Sequence, residues 1–531
     1  MIQTVDAERF FPNGRPAFLP QDAVSPDYKT LLARTQGLSP DGYPVAELAD
    51  ILQREHVRLG AHSRTMARIA GMREECIVVV CGQQAGLFGG PLYTLYKAMH
   101  TVRLAERLSH DTGRTVTPVF WIASDDHDFG EVSSLGLKTP DGSTARVDYR
   151  PVGYREGMPV GDIVLDEGVS DAVETLARHL SPGGDGDAYG TLIRETWLPG
   201  RSWADAFASQ MLRMFDDAGL VFVDPRWNGI KALFSPVMAA EILDPQASTA
   251  LINEGADEFE SARLRKRALR KPEHATNLFL DMDGIRQAVF FEDGAFHAGG
   301  MSFSGGELAG LLEREPGRFS PAAGIRPVCQ DALMPVAAMI AGPGERLYLS
   351  QVARLYSHFG VDGSLVWPRA GFTVLEPRVV RIAGKENIAA ERLFDDPGHL
   401  RTMLAESSLP KGFTAVMDNL RRSVEEGFAA VEREIAAIDP TLGGAAAKER
   451  GRVLHTLDGV STRAVKAHKA SQDVSRRRLA IASYLLHPEG VPQERWFGTD
   501  AILPLIGRGG FAQFCSLTSP GEERHRIVLF D

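Results

Sequence analysis

The run Cys76-Ile-Val-Val-Val-Cys81 is apolar and largely β-branched, the pattern of a strand buried on both faces of a parallel sheet. It breaks at Gly82-Gln-Gln-Ala-Gly86-Leu-Phe-Gly89-Gly90-Pro91. From about Pro91 to Leu108, Leu92, Leu95, Met99, Val102 and Leu104 form the stripe of an amphipathic helix, with a proline suited to its first turn. A second apolar stretch, Val116 to Ala123, predicts another strand and ends in Ser124-Asp-Asp-His-Asp-Phe129. Strand, glycine loop, helix and strand make a βαβ unit, whose crossover should be right-handed.

Residues 1–70 read as polar helices without recognisable chemistry. Residues 135–165 read as a hairpin excursion around Pro140-Asp141-Gly142, followed by helices at about 168–179 and 203–218. Leu220 to Asp224 is another core strand, and Asn277 to Ala298 alternates around two Asp-Gly turns as a small meander. Pro335 to Ala341 and Gly363 to Trp367 complete the expected strands. The fold class is therefore α/β: a Rossmann-like parallel sheet over residues 1–375, with insertions near 135–165 and 275–325.

Beyond Leu375 the period changes. Phe413, Val416, Leu420, Val424, Phe428, Val431, Ile435 and Ile438 recur every three or four residues, up to a break at Asp439-Pro440 and Gly443-Gly444. Val453, Leu457, Val460, Ala464, Ala467, Ser471 and Val474 then alternate spacings of four and three, until Arg478 interrupts them. This is an antiparallel coiled-coil hairpin over 376–487, and its long seam predicts homodimerisation. Residues 488–531 are expected to return to the core, with Arg526 to Phe530 as a strand of the main sheet.

Composition narrows the function classes. At 531 residues and 57.8 kDa the chain should hold two to four packed units. A formal charge of −11 argues against broad binding to nucleic acid or anionic membranes, while leaving room for a local basic pocket. Four cysteines (Cys76, Cys81, Cys329, Cys515) form neither a disulfide scaffold nor a CxxC zinc site. No apolar run approaches the roughly 18 residues of a membrane span, and the first residues lack a signal-peptide pattern. A cytoplasmic protein with reduced thiols is expected.

Three strand ends carry the candidate chemistry. Gly82, Gly86, Gly89 and Gly90, with Gln83 and Gln84, permit close backbone approach to a ligand at a helix start, although the spacing is neither a Walker loop nor GxGxxG. Asp125, Asp126, His127 and Asp128 place an imidazole among carboxylates: a proton acceptor with an oriented tautomer, a Mg²⁺ or Zn²⁺ site, or a turn capped by aspartates. The third region contains Arg326, Gln330 and Asp331, then Gly342-Pro-Gly344-Glu345, with Tyr348 and Gln351 beyond it and Arg369 closing the next strand. Arg326 suits a carboxylate or phosphate. His487-Pro488 with Gln493-Glu494-Arg495 reads as a structural latch.

At these motifs the chain resembles the bacillithiol biosynthesis cysteine-adding enzyme family, BshC. The resemblance rests on Gly82 to Ala98, including Tyr93 and Lys97, on Pro118 to Ala123, and on Asp126-His-Asp-Phe129. It continues through Arg326 to Asp331, Gly342 to Glu345, Pro368-Arg369, His487 to Gly490 and Gln493-Glu-Arg495, covering essentially the whole chain. It implies a core similar to class I aminoacyl-tRNA synthetases with two connecting-peptide insertions, and a dimerising coiled-coil hairpin. The implied reaction joins cysteine through an amide to the amine of glucosaminyl malate. Amide formation in water needs an activated carboxyl, so ATP or another nucleotide is expected. The synthetase HIGH and KMSKS signatures are absent, and Ala370-Gly371 replaces the hydroxyls frequent after Pro-Arg in the family. In this assignment the 82–90 loop holds nucleotide or substrate, and His127, oriented by Asp126 or Asp128, takes the amine proton. Tyr93, Lys97, Arg326 and Glu345 line the cysteine or malyl-sugar pocket. The alternatives are a non-catalytic dimeric thiol- or nucleotide-binding protein, or a cysteine ligase with another amine acceptor.

Overall fold

The computed structural model describes residues 2–10, 26–139, 143–180, 185–261, 268–386, 388–395, 412–439, 443–471, 473–506, 510–518 and 524–530. The chain divides into two compact units, one formed by 1–374 with 490–531 and the other by 375–489.

The first unit is built on five parallel strands: β1 (Ile77–Gln83), β2 (Val116–Ile122), β3 (Val221–Val223), β4 (Val336–Ala341) and β5 (Leu365–Pro368). Their order across the sheet is β5-β4-β1-β2-β3. β1 to β3 are laid down in one direction, and the chain then crosses to the other side of β1 for β4 and β5. The gap between the carboxyl ends of β1 and β4 is thus the point where strand order reverses, the place where open α/β sheets bind ligands. The register pairs Gln83 with Ile122 and Cys81 with Ile340. β1 is buried from Ile77 to Cys81, and β2 and β4 throughout. This explains their unbroken apolar sequence; each buried Val or Ile side chain contributes roughly 1.5–3 kcal/mol.

Helix α1 (Leu92–Thr112) connects β1 to β2, starting after Pro91 and ending at Gly113 in the left-handed region (φ 70°). Helices α2 (Ala247–Ser261) and α3 (Pro343–Gln351) flank the later strands. The expected helix at 203–218 is α-helical only for Trp203–Phe215, with Ser202 accepting from the Asp205 N–H as its cap. Buried His56 ties the helix Val45–Leu59 to β3. Its Nδ1 faces the Leu52 carbonyl at 2.8 Å, and its Nε2 accepts the Phe222 N–H at 3.0 Å. Burial lowers its pKa to about 4, so it is a neutral structural histidine.

Both insertions are β-rich. Ser134–Lys138 pairs antiparallel with Thr144–Asp148; the connecting 140–142, read as a turn, lies outside the described residues. The second insertion forms a five-stranded sheet in the order 301–303, 295–298, 285–292, 275–282, 319–321, larger than the meander expected. Its two Asp-Gly turns have positive φ at both residues (Asp283 51°, Gly284 76°; Asp293 51°, Gly294 77°), as two-residue hairpins of the primed type require.

The last strand corrects the sequence reading. His525–Phe530 pairs antiparallel with Ile2–Asp6 in a separate three-stranded sheet with Gly371–Leu375, and does not join the parallel sheet. Its partner lies in a region read as helical, so nothing local announced the pairing.

In the second unit, α4 (Phe413–Ile438) and α5 (Gly443–Ser471) form a helical pair. Phe413, Val424, Phe428 and Ile435 are half-buried against α5, where Val453, Leu457 and Ala464 are also half-buried. Arg450 and Glu432 form an ion pair at 3.1 Å, and Arg421 pairs with Asp458. Val416 (65% exposed), Val431 (46%), Ile438 (82%) and Val460 (42%) lie outside that seam. Of the expected second seam, Val453 to Ala467 lies on α5 and Val474 on a helical segment Asp473–Leu486, and residue 472 between them lies outside the described residues. Arg478, which interrupts the pattern, pairs with Glu386 at 2.9 Å within the same unit.

Candidate active site

A cavity of about 590 Å³ opens beyond the carboxyl ends of the strands. β1 contributes Gly82 and Gln83, with Gln84 just beyond it; residues just past β2 contribute Asp125 and Asp126, and residues just past β4 contribute Gly342, Gly344 and Glu345. Arg369 follows β5, α1 presents Tyr93 and Lys97, and Arg326 comes from the short helix before β4. A Cβ on Gly82 would make only ordinary contact, with the Trp121 carbonyl oxygen at 3.4 Å and Arg326 Nη1 at 3.9 Å.

The centre of the switch point is an ion pair between buried Lys97 and half-buried Glu345. Lys97 Nζ lies 2.5 Å from Glu345 Oε2 and donates to the Gly82 carbonyl and to Gln83 Oε1, both at 2.8 Å. Burial draws the lysine pKa down and the Glu345 carboxylate opposes this. Glu345 also accepts the Gly342 N–H at 2.8 Å, capping α3 from within. β1, β4 and α1 are therefore stitched together by the groups assigned to a pocket. Arg369 is similarly engaged, forming a bidentate pair with fully buried Glu494. Gln493 bonds both the N–H and the carbonyl of Val374. The expected latch residues 493 and 494 thus hold the core strand next to them.

The Asp-Asp-His-Asp turn separates into two faces. Buried Asp125 receives Arg226 at 2.9 Å and Lys231 at 2.7 Å, while Arg226 also binds Asp281 at 2.8 Å and pairs with Asp162. Despite burial, these cations hold the Asp125 carboxyl below its ordinary pKa. Arginine thus fills the place where three carboxylates converge. Among the described residues, no group of three or more His, Cys, Asp or Glu side chains could hold a metal ion. Asp126 remains on the cavity, receiving Gln84 Nε2 at 2.6 Å and the Asp128 N–H at 3.1 Å.

His127 and Asp128 turn away. They line a second, open cavity between the two insertions, together with Tyr149, Tyr154 and Arg286. The imidazole is not oriented by Asp126 or Asp128; its Nδ1 faces Arg286 Nη1 at 3.2 Å. A guanidinium can only donate, so Nδ1 accepts and the neutral ring carries its proton on Nε2. Burial and Arg286 lower the His127 pKa. In this setting Nε2 is a donor, which is the opposite of the role expected.

The glycine loop also differs from expectation beyond Gln84. Gly86, Gly89 and Gly90 are buried and off the cavity. A Cβ on Gly86 would sit 2.6 Å from Gly90 Cα, and one on Gly89 would sit 2.8 Å from Gln210 Nε2. The loop carbonyls are taken by the protein: Trp203 Nε1 donates to Ala85 at 2.7 Å and Gln210 Nε2 to Phe88 at 2.8 Å. These glycines let a tight turn pack, with Gly89 and Gly90 at φ 92° and 72°. Gln330 and Asp331 likewise lie behind the cavity. Gln330 donates to Asp331 at 3.0 Å, and Asp331 receives the Ser364 N–H at 3.0 Å.

Among the described residues Arg326 has no carboxylate at contact range, although the Glu345 charge acts on it from farther off. It donates to Gln330 Oε1 and to the Tyr348 hydroxyl, each at 3.3 Å, and both partners are uncharged. With Gly82 and Gly344 nearby on the same wall, it suits the anionic part of a nucleotide or a carboxylate. Sequence reasoning missed Lys271 and Arg286, which line the same cavity from the second insertion and the segment before it. Arg286 stacks on Phe279 with its guanidinium carbon 3.7 Å from the ring centre, and donates to Ser320 Oγ and the Pro321 carbonyl, both at 2.9 Å. No local motif marks either residue. Only the Asp-Gly hairpin near Arg286 was a signal, and it signalled structure.

This architecture, with a parallel sheet, a switch-point cavity and a cationic lining, defines a Rossmann-like ligand-binding protein. The family model described as "Bacillithiol biosynthesis BshC, N-terminal Rossmann-like domain" matches residues 23–370, and the "C-terminal coiled-coil domain" of the same family matches 372–530. The chain belongs to the BshC family. A "Putative cysteine ligase BshC" of Salinibacter ruber is 34% identical over 457 residues, covering 84% of this chain and 82% of the relative. The protein of that name from Desulforamulus reducens is 27% identical over 511 residues, 95% and 93% of the two chains. One from Thermus thermophilus is 33% identical over 426 residues, 80% and 82% of the two chains.

Proposed function

We propose that this chain is a cysteine ligase of bacillithiol biosynthesis, joining the cysteine carboxyl to the amine of glucosaminyl malate in the strand-end cavity. The observation that carries this reading is family membership across both parts of the chain, joined to a cavity at the switch point. The substrates suit the lining: Arg326, whose hydrogen-bond partners are uncharged, offers a guanidinium to a malyl carboxylate or a phosphate. A nucleotide would supply carboxyl activation, and Arg326 with the Gly82 and Gly344 backbone would hold its anionic part. The protein's own thiols do not compete with substrate cysteine. Cys76, Cys81 and Cys329 are buried, and burial pushes Cys76, Cys81 and Cys515 up to about 12.

The test is incubation with cysteine, glucosaminyl malate and each nucleotide in turn, read by product mass. The expected result is bacillithiol with one nucleotide; no product with any would leave a binding protein. We further propose a homodimer through the outward apolar positions Val416, Val431 and Ile438, located in the cytoplasm. Among the described residues no helix is long and apolar enough to cross a membrane. A monomer mass at micromolar concentration would remove the dimer.

A further inference from the structure

Lys271 stands in a different setting from Lys97. Residues 269–271 run without regular structure beside the cavity, and two side-chain amides clamp their backbone. Gln351 of α3 accepts the Leu269 N–H at 2.8 Å and donates to the Leu269 carbonyl at 2.5 Å. Asn253 of α2 accepts the Lys271 N–H and donates to the Lys271 carbonyl, both at 2.9 Å. Each amide engages a donor and an acceptor of one residue, so the backbone is fixed before the lysine side chain is placed.

Lys271 Nζ then donates to the Thr276 carbonyl at 2.6 Å and to Asn277 Oδ1 at 2.8 Å. Both acceptors are uncharged. A neutral amine has two N–H bonds and one lone pair, so two acceptors take both hydrogens and leave the lone pair available. Lys97 meets three acceptors, one of them a carboxylate, and has no such position left. The charged groups facing Lys271 are Glu241, whose Oε1 accepts the Asn277 N–H at 2.7 Å, and Arg286. Burial lowers the Lys271 pKa to about 8, Arg286 adding to the shift and Glu241 opposing it. Of the acidic groups on this cavity, Asp125 meets two cations, Glu345 meets Lys97, and Asp126 accepts from Gln84 Nε2 and the Asp128 N–H; Glu131 also lines it, and His127 faces elsewhere.

We propose that Lys271 is the proton acceptor for the attacking amine. This rests on the ligase reading. The amine nitrogen bonds to the activated cysteinyl carbonyl carbon, and the bond from that carbon to the activating phosphate oxygen breaks, with its electron pair leaving on the phosphate. The N–H proton passes to Nζ and then to water.

The test uses the full chain and its Lys271→Arg and Lys271→Met variants between pH 6 and 10, with the activating nucleotide. Two products are followed: the amide with glucosaminyl malate, and the hydroxamate formed when hydroxylamine, unprotonated at neutral pH, traps activated cysteine. Both variants should form amide about 100-fold more slowly at pH 7. Their hydroxamate should persist, and the amide deficit should narrow as rising pH deprotonates the sugar amine itself. Arginine cannot accept a proton, so Lys271→Arg acting within about threefold of the parent at pH 7 would overturn the assignment. Loss of hydroxamate together with amide, at an unchanged melting temperature, would also overturn it by placing Lys271 in binding or activation. If the unmodified protein yields neither product, the ligase reading falls and this role falls with it.

Discussion

Two lysines reach one cavity and are held in opposite ways. Lys97 lies at the switch point, fully buried, with a carboxylate and two further oxygens around it. Lys271 lies on a clamped segment lining the same cavity, with two uncharged acceptors, and with Glu241 and Arg286 as the charged groups facing it. The first arrangement ties β1 to the segment after β4 through a charge pair whose lysine is buried. The second leaves a nitrogen whose protonation changes near neutral pH. A lysine in a cavity is therefore read by its acceptors: their number and charge decide whether it braces the fold or exchanges a proton.

This contrast can be broken by substitution. The largest effect on stability is expected for Glu345→Gln, which keeps the α3 cap but strands the buried ammonium. It should cost about 3–5 kcal/mol in urea unfolding, and a loss no greater than that of Lys271→Met would remove the distinction between the lysines. Acid should act next. His56 is neutral when folded, with a pKa of about 4 against an ordinary 6.5, so the unfolded chain binds the extra proton between those values. Its contribution is complete above pH 6.5 and is lost as pH falls toward 4, which melting curves across that interval will show. His100, lowered to about 3, acts in the same direction.

Gly86→Ala comes third. Its Cβ would meet Gly90 backbone at 2.6 Å, and forcing that turn apart should cost about 1–3 kcal/mol. Gly344, with nothing within 4 Å of a Cβ, should accept alanine within about 0.5 kcal/mol. Equal melting temperatures for the two variants would mean that the loop is not the packed turn described. Lys271→Met is also expected to change stability little, by under about 1 kcal/mol at pH 7. Above pH 8 the sign is definite: the folded lysine releases its proton at about 8, and the unfolded one at its ordinary 10.5. The parent should thus gain stability relative to Lys271→Met as pH rises through that interval.

Much of the scaffold was legible because its signals are local. Cys76 to Cys81 and Val116 to Ala123 announce buried strands by composition alone, and Asp283-Gly284 and Asp293-Gly294 announce primed hairpins by the φ they must adopt. Cavity residues carried by those strand ends, such as Gly82, Gln83, Gly342 and Glu345, followed from where strands end. The errors share one cause. Gly86, Gly89 and Gly90 look the same in sequence whether a glycine faces a ligand or a neighbouring backbone. His127 sits among carboxylates in the chain, but its ring turns to Arg286, 159 residues away.

The sequence by itself determined the strand and helix periods, the turn chemistry and the family, because each is written in residues close along the chain. The tertiary structure alone decided which charges are neutralised. Lys97 meets Glu345, Asp125 meets Arg226 and Lys231, and Arg369 meets Glu494, through contacts between residues far apart in the chain. Coulombic and desolvation energies depend on distance in space and on burial, neither of which a linear pattern encodes.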